Sequence, residues 1–523
     1  MKKIKKILLF LFLLVLTIVL VGTFYIRFFF ANETIEELFF YATNGAKNAD
    51  IGVYLTAIGI TLPFLIVCLF ALWALYNNVL INKTISADIT FLKKKKLKFQ
   101  VYPIKIIMNH KIIFSIILTI FVGAIAFYNL DGLKFAKNNL TESKFIEMNY
   151  ANPKDTNINF KKHNNLILIF VESLETTLFT KEQGGDWDYE VIPEMYDLLL
   201  DEDSIYFASD NKVSGMNNLY STTWTTGSII SNTSGLPFKI PISANDYHSS
   251  NFLQGAYSLG DVLKDNGYYN ELISAARTSF GGIKEYYTKH GKYKIIDSDN
   301  LRKYGFKYDD YTRSHWGVND KYLFEMAKER LSKISKNTKF NLNLITIDTH
   351  ANDEYIGNYS VKKFKTKNEN AYATTSKLIF EFVNWVKEQP FYKDTTIVII
   401  GDHPSMHKSA FEGHEYYKRR RYNVIINPVV TTNHTKNRTF TAVDMYPTIL
   451  ASIGAEIDED QLALGVNLFS NKKTLSEKYG LDFMNSELTK KSLFYDDKIL
   501  GSDYGKLILS NKNKSKDNNR NDK

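Results

Sequence analysis

The sequence predicts N-terminal transmembrane helices followed by an α/β domain whose mainly parallel sheet is sandwiched by helices. Three observations carry this. The first 130 residues hold three long apolar runs. From Leu166 onward, apolar β-rich runs alternate with longer amphipathic segments, the pattern of a parallel sheet covered by helices. Three of those runs stop abruptly at polar residues able to do chemistry.

Residues 7–26 (ILLFLFLLVLTIVLVGTFYI) carry no charge. At a rise of about 1.5 Å per helical residue such a run crosses a hydrocarbon core of about 30 Å. Residues 51–76 and 112–130 read the same way. A cleaved signal peptide has an apolar region of roughly 7–15 residues ending in small residues. The first run is longer, lacks that ending and is followed by two more, so it reads as a retained span. Lys2, Lys3, Lys5 and Lys6 precede it, and the segment between the second and third runs holds Lys83, Lys93 to Lys96, Lys98, Lys105 and Lys111 against one acid, Asp88. Both segments are therefore expected in the cytoplasm, which places everything beyond Leu130 on the outer side.

Composition narrows the field further. With 45% hydrophobic, 14% aromatic and 23% charged residues the chain is neither disordered, collagenous nor a coiled coil. The mean hydropathy of −0.22 suits a soluble protein only because the average hides the apolar end. A formal charge of +9, from 65 basic and 56 acidic residues, would raise nucleic acid as a partner. Much of the surplus lies in the cytoplasmic flanks, where it orients spans and meets anionic lipid, so no nucleic-acid partner is expected. The single cysteine, Cys68, removes intrachain disulfides and every cysteine-based zinc pattern.

Residues 131–165 are polar and lack a sustained apolar period, the mark of a linker with one short helix. The outer domain is expected over 166–475, with a C-terminal extension and polar tail over 476–523. Its central strands are LILIFV (166–171), FNLNLITI (340–347) and TTIVII (395–400). They are followed at once by Glu172-Ser173, by Asp348-Thr349-His350 and by Gly401-Asp402-His403. In open α/β sheets ligands bind beyond the carboxyl ends of the strands, so these three ends converge on one site. Each alone reads as a helix cap or a turn. Together, Glu172, Asp402 and His403 supply two oxygen ligands and one nitrogen ligand for a divalent ion such as Mn²⁺ or Zn²⁺.

The segment LYSTTWTTGSIISNTSGLP (219–237) is rich in hydroxyls, and its spacing predicts a helix from near Thr225 to Gly235. A threonine at such a start lies among backbone N–H groups that favour anions, a place to receive a phosphate; on local sequence it also reads as an ordinary N-cap.

FVESLE, WTTGSIISNTSGLP, TIDTH and GDHPSM, in that order, resemble the lipoteichoic acid synthase and phosphoglycerol transferase group of the alkaline phosphatase/sulfatase superfamily. The type that places phosphoglycerol on periplasmic glucans is the most similar. The resemblance covers about 166–469, including PEMYDLLL (193–200), WGVND (316–320) and TAVDMYPTILASIGAEI (441–457). It implies a sulfatase-like fold on a multi-pass anchor in a bacterial cytoplasmic membrane, with the catalytic domain periplasmic or extracellular. Carried over, it places metal-bound carboxylates at Glu172 and Asp402, a metal-bound histidine at His403, and the nucleophile and fourth metal ligand at Thr225. Sulfatases have their nucleophilic cysteine nine residues before a Thr-Gly, and Thr225 lies nine before Ser234-Gly235. Thr223 and Thr226 are the neighbouring candidates. His350 matches a histidine that handles the transferred phosphate, and Trp316, Lys284 and His407 join it as candidate substrate-binding residues. The chain departs from lipoteichoic acid synthases at SFGGIKEYYTKHG (279–291), where Gly281 and Ile283 replace a Trp and an Arg. Lys284 follows directly and could supply the charge.

The implied reaction takes phosphoglycerol from a membrane phospholipid donor, through a phospho-threonine, to a glycan or polymer acceptor of the cell envelope. The expected cofactor is one divalent ion, Mn²⁺ before Zn²⁺ or Mg²⁺. His407 and His414 could line the acceptor side, and the KRRR run (418–421) reads as a solvated rim able to meet anionic headgroups. Alternatives are a phosphoethanolamine transferase acting on lipid A or a glycan, and a phosphodiester hydrolase of the same superfamily. A formylglycine sulfatase needs Cys or Ser at position 225, and a membrane scaffold has no use for the four converging side chains.

Overall fold

The structure is a computed structural model that describes residues 2–29, 34–40, 51–76, 85–91, 95–102, 110–239, 252–309, 311–336, 338–351, 354–407, 410–413 and 419–501. His414 and Lys418 lie outside the described residues. The chain divides into two compact units, the first of residues 1–38 and 49–137 and the second of residues 39–48 and 138–523.

The first unit holds α1 (Lys2–Phe29), α2 (Ile51–Tyr76) and α3 (Lys111–Asn129), with α1 packed against both others. Phe10–Arg27 and Ile112–Asn129 are long and apolar enough to cross a membrane. In α2, whose extent equals the predicted second span, the apolar stretch that can be followed is Thr61–Phe70. Ile112, Ile116 and Ile120 of α3 are exposed while Val122 is buried, an outward apolar face that suits a hydrocarbon surround. Between α2 and α3 the strands Ile85–Phe91 and Lys95–Val101 pair antiparallel.

The second unit is built on a seven-stranded sheet. Its strands are β1 (Asn165–Val171), β2 (Ser204–Ile205), β3 (Tyr269–Ser274), β4 (Lys294–Ile296), β5 (Phe340–Ile345), β6 (Thr395–Gly401) and β7 (Asn423–Ile426). Their spatial order is β2-β7-β6-β1-β5-β3-β4. The run β6-β1-β5-β3-β4 is parallel, while β7 is antiparallel to both β6 and β2. β1 is central and buried on both faces, hence its unbroken apolar sequence. Leu166, Leu168 and Phe170 face a core shared with α4 (Thr225–Ser234) and α7 (Ala442–Ser452). Ile167, Ile169 and Val171 face the opposite core, under α5 (Asp320–Ile334) and α6 (Lys367–Lys387). Each fully buried Ile or Leu of this kind contributes about 1.5–3 kcal/mol.

Two stretches are more ordered than their sequences suggest. Residues 131–165, predicted as a linker with one short helix, hold the helices Gly132–Leu140 and Phe145–Asn149 and a strand Ile158–Phe160 paired with Ala455–Ile457. Phe145 and Ile146 reach the core, a pair too short to make a periodic signal. Beyond residue 475, Met484, Leu488, Tyr495 and Ile499 are buried in the same core, and the Tyr495 hydroxyl donates to the Pro237 carbonyl at 2.7 Å.

Candidate active site

Glu172 and Asp402 emerge side by side because Val171 at the end of β1 stands opposite Gly401 at the end of β6. The chain after β1 then turns tightly across β6. A Cβ at Gly401 would lie 1.7 Å from the Leu174 carbonyl oxygen, so only glycine fits there. Ser173 adopts a left-handed φ of 56°, which a non-glycine residue takes at a cost in strain. That turn aims its groups at the site. The Ser173 amide donates to Asp402 Oδ1 at 2.8 Å and its hydroxyl to Glu172 Oε1 at 2.7 Å.

The donor atoms left over converge. Asp402 Oδ1 accepts from two amides, those of Ser173 and His403, the latter at 2.7 Å, while Oδ2 is buried with no hydrogen-bond partner. His403 Nδ1 faces the Pro404 carbonyl at 3.0 Å, which fixes the proton on that nitrogen and leaves the Nε2 lone pair open. Nε2 lies 3.4 Å from Glu172 Oε1, 3.5 Å from Asp402 Oδ2 and 3.4 Å from Thr225 Oγ1. Thr225 Oγ1 is also 3.5 Å from Glu172 Oε2. One ligand atom each of Glu172, Asp402 and His403 lie within 4.8 Å of one another. Burial and then the neighbouring Glu172 charge push Asp402 up to about 6, against the His403 charge and two amides. Burial works to lower His403, but Asp402 and Glu172 outweigh it and raise it. A buried carboxylate oxygen without a donor, an open imidazole nitrogen and a second carboxylate fit a divalent cation, whose charge would relieve all three.

Thr225 is the first residue of α4. Trp224, which precedes it, supplies no side-chain cap, and Gly235 ends the helix with a left-handed φ of 66°. Thr225 therefore does not serve as the N-cap that local sequence allowed. Of the neighbouring candidates, Thr226 is buried, and a Cβ at Gly281 would lie 2.8 Å from its hydroxyl. Thr223 is buried too. Thr225 alone of the three is half-buried.

β5 carries the remaining group. His350 is half-buried, with its ring 4.7 Å from that of Trp316, which in turn meets Phe280 edge-on at 5.9 Å. Reciprocal bonds hold this pair: Asp320 accepts from the Ile347 and Asp348 amides, and Asp348 accepts from the Asp320 amide at 3.0 Å. Lys284 is exposed, on the first turn of the helix Ile283–Lys289. His407 turns to the buried Glu354, 3.4 Å away, rather than to Glu172, Asp402 and His403.

The KRRR reading needs correction. Arg419 and Arg421 are buried, Arg421 completely. Arg421 makes bridges to Glu175 and Met216, so its backbone extends the sheet and its side chain enters the layer beneath Asp402. Glu175 is the matching acid. Its Oε1 accepts from the Ser405 amide at 3.0 Å and from Arg419 at 3.1 Å. Burial raises Glu175 and the Arg419 charge opposes that. The signal was present in sequence: two arginines at alternate positions directly before an apolar strand belong to one face of it.

Two carboxylates, a histidine and a helix-start hydroxyl thus gather where two strands end and α4 begins. The chain belongs to the sulfatase family, whose model matches residues 164–455. Among curated proteins it is 28% identical over 256 residues to phosphoglycerol transferase I of Escherichia coli (strain 55989 / EAEC), a match covering 47% of this chain and 32% of that one. The aligned part thus spans about a third of the length of the curated relatives. Among solved structures, a Vibrio parahaemolyticus protein in the alkaline phosphatase superfamily matches with a TM-score of 0.47 and 21% identity, over 62% of this chain and 74% of that one. Lipooligosaccharide phosphoethanolamine transferase A of Neisseria meningitidis matches with a TM-score of 0.48 and 12% identity, over 88% of this chain and 87% of that one.

Proposed function

We propose that this protein is a multi-pass membrane phosphotransferase that moves phosphoglycerol from phosphatidylglycerol to a hydroxyl of a cell-envelope glycan or polymer, with Thr225 as nucleophile. The observation that carries this is the Thr225 hydroxyl on the first turn of α4, 3.4–3.5 Å from His403 Nε2 and Glu172 Oε2 and beside a bare Asp402 oxygen. Similarity to proteins named phosphoglycerol transferase I supports the choice of group.

Glu172, Thr225, Asp402 and His403 would hold one divalent ion, Mn²⁺ in the first instance. Such an ion supplies Lewis-acid polarisation of phosphoryl oxygens and favours the ionised hydroxyl. Thr225 Oγ, having released its proton to solvent, attacks phosphorus and the bond to the diacylglycerol oxygen breaks. The leaving oxygen takes a proton, for which His350 is the candidate donor, since imidazoles give and take protons near neutral pH. The acceptor hydroxyl gives its proton to His350, left neutral by the first step, and attacks the phosphoglycerol-threonine, whose bond to Thr225 Oγ breaks. The backbone N–H groups opening α4 would receive the phosphoryl oxygens, with His350 and Trp316 as the residues proposed to meet the group. A membrane anchor keeps the site near a donor that never leaves the bilayer, raising its effective concentration.

The test follows diacylglycerol release from fluorescent phosphatidylglycerol and phosphatidylethanolamine by purified protein with Mn²⁺. Release from phosphatidylglycerol alone, lost in Thr225→Ala, is expected. Release from phosphatidylethanolamine alone assigns the enzyme to the other headgroup, and none from either with Mn²⁺, Mg²⁺ or Zn²⁺ overturns the reading.

A further inference from the structure

Arg421 has no part in the reaction as written, yet it is a fully buried cation directly beneath the site. Its guanidinium reaches three separate segments. Nη1 donates to the Asp402 carbonyl at 2.8 Å and to the Ser228 hydroxyl at 3.0 Å, and Nη2 donates to the Asn217 carbonyl at 3.1 Å. Asp402 opens the strand-end loop of β6. Ser228 lies in α4, three residues and so about one turn beyond Thr225. Asn217 belongs to the segment leading into α4, where Met216 and Arg421 exchange backbone bonds at 2.9 and 3.0 Å. A Cβ at Gly215 would lie 1.7 Å from the Arg421 carbonyl, so that segment is pressed against it.

We propose that Arg421 is a positioning residue that fixes the helix bearing Thr225 against the loop bearing Asp402 and His403. The inference rests on the roles given to those residues above. A guanidinium suits the task because its donors lie in a rigid plane and can span three acceptors at once, whereas a lysine ammonium is a point charge on a flexible stem. Burying a cation is costly unless charges answer it. Here three oxygen dipoles answer it, those of the Asp402 and Asn217 carbonyls and the Ser228 hydroxyl. The lengths involved are short: a slip of α4 by a fraction of a turn would carry the Thr225 hydroxyl away from His403 Nε2.

The experiment compares the full chain in detergent with Ser228→Ala, Arg421→Gln and Arg421→Lys, each checked for its unfolding midpoint. Two readouts are taken: Mn²⁺ affinity of the metal-stripped protein by calorimetry, and kcat and KM for a chromogenic phosphodiester. Ser228→Ala should keep its Mn²⁺ affinity and KM while kcat falls about tenfold, within the range for residues that orient metal ligands and their neighbours. Arg421→Gln should lose about 10–100-fold in both Mn²⁺ affinity and kcat. Arg421→Lys should recover part of the affinity and little of the rate. Wild-type kcat in Ser228→Ala, or unchanged Mn²⁺ affinity in a folded Arg421→Gln, overturns the proposal. If the arginine variants do not fold, Ser228→Ala decides alone. A wild type that releases no diacylglycerol yet shows this pattern on the chromogenic diester would sink the lipid reading and leave the role of Arg421 standing.

Discussion

The Ser173 amide and Asp402 Oδ1 are 2.8 Å apart across the ends of two adjacent strands, and this bond decides which carboxylate oxygen is available. With the His403 amide on the same atom, Oδ2 is left bare. Asp402→Asn keeps an acceptor for the amides but turns an NH₂ group toward the site, where a cation would be repelled. Calorimetry should show Mn²⁺ binding lost from a folded protein, and binding at wild-type strength would contradict the ligand assignment.

Thr225→Ala removes the proposed nucleophile and should lower turnover about 10³-fold or more, whereas Thr225→Ser keeps a hydroxyl and should retain measurable turnover. Equal losses in both variants would show that the methyl group, and so packing, matters rather than the hydroxyl.

His350→Gln should reduce kcat about 10²–10⁴-fold, the span of general acid–base contributions, with Mn²⁺ affinity unchanged because His350 stands outside the proposed ligand set. The loss should shrink for a diester whose leaving group needs no proton. A loss that ignores the leaving group contradicts the proton-donor role.

Asp320 gives a pH dependence of stability. Burial pushes its carboxyl up to about 6, with a further rise from Glu172 and opposition from the Ile347 and Asp348 amides and the Thr375 hydroxyl. In the unfolded chain it titrates near ~4. Between these values the folded protein keeps a proton that the unfolded chain releases, so its contribution is complete below ~4 and is lost as pH rises toward 6. Denaturant unfolding of wild type against Asp320→Asn should show a steeper fall of stability across that window in the wild type. Parallel curves would contradict the assignment.

Gly401→Ala places a methyl group 1.7 Å from a backbone oxygen that cannot move without breaking the β1–β6 register. Thermal unfolding should show a loss of about 3 kcal/mol or outright failure to fold, at the upper end for overpacking. An unfolding midpoint within a degree of wild type would contradict the close approach.

Much of this was legible in sequence where a feature is local. The apolar runs at 166–171, 340–347 and 395–400 became the three adjacent strands β1, β5 and β6, because a strand buried on both faces must be apolar throughout. Gly235 closes α4 as its spacing suggested, since only a left-handed residue ends a helix that way cheaply. Glu172, Asp402, His403 and Thr225 come together through those strand ends and that helix start. What sequence could not supply was long-range pairing. The alternation of Arg419 and Arg421 before β7 hints at a shared face, but nothing local says that Ser228 and Asn217, about 200 residues earlier, provide the acceptors of Arg421. Nothing local to His407 says that Glu354, about 50 residues earlier, stands beside its ring. Phe145 and Ile146 looked like linker because two apolar residues show no period, although the core takes both.

The central claim is a covalent phosphoglycerol on Thr225. Rapid acid quench of the Mn²⁺-loaded protein with phosphatidylglycerol and no acceptor, followed by peptide mass spectrometry, tests it most directly. The account predicts a phosphoglycerol adduct on Thr225 that disappears when acceptor is added. Adduct on another residue, or diacylglycerol release with no adduct at any quench time, would contradict it.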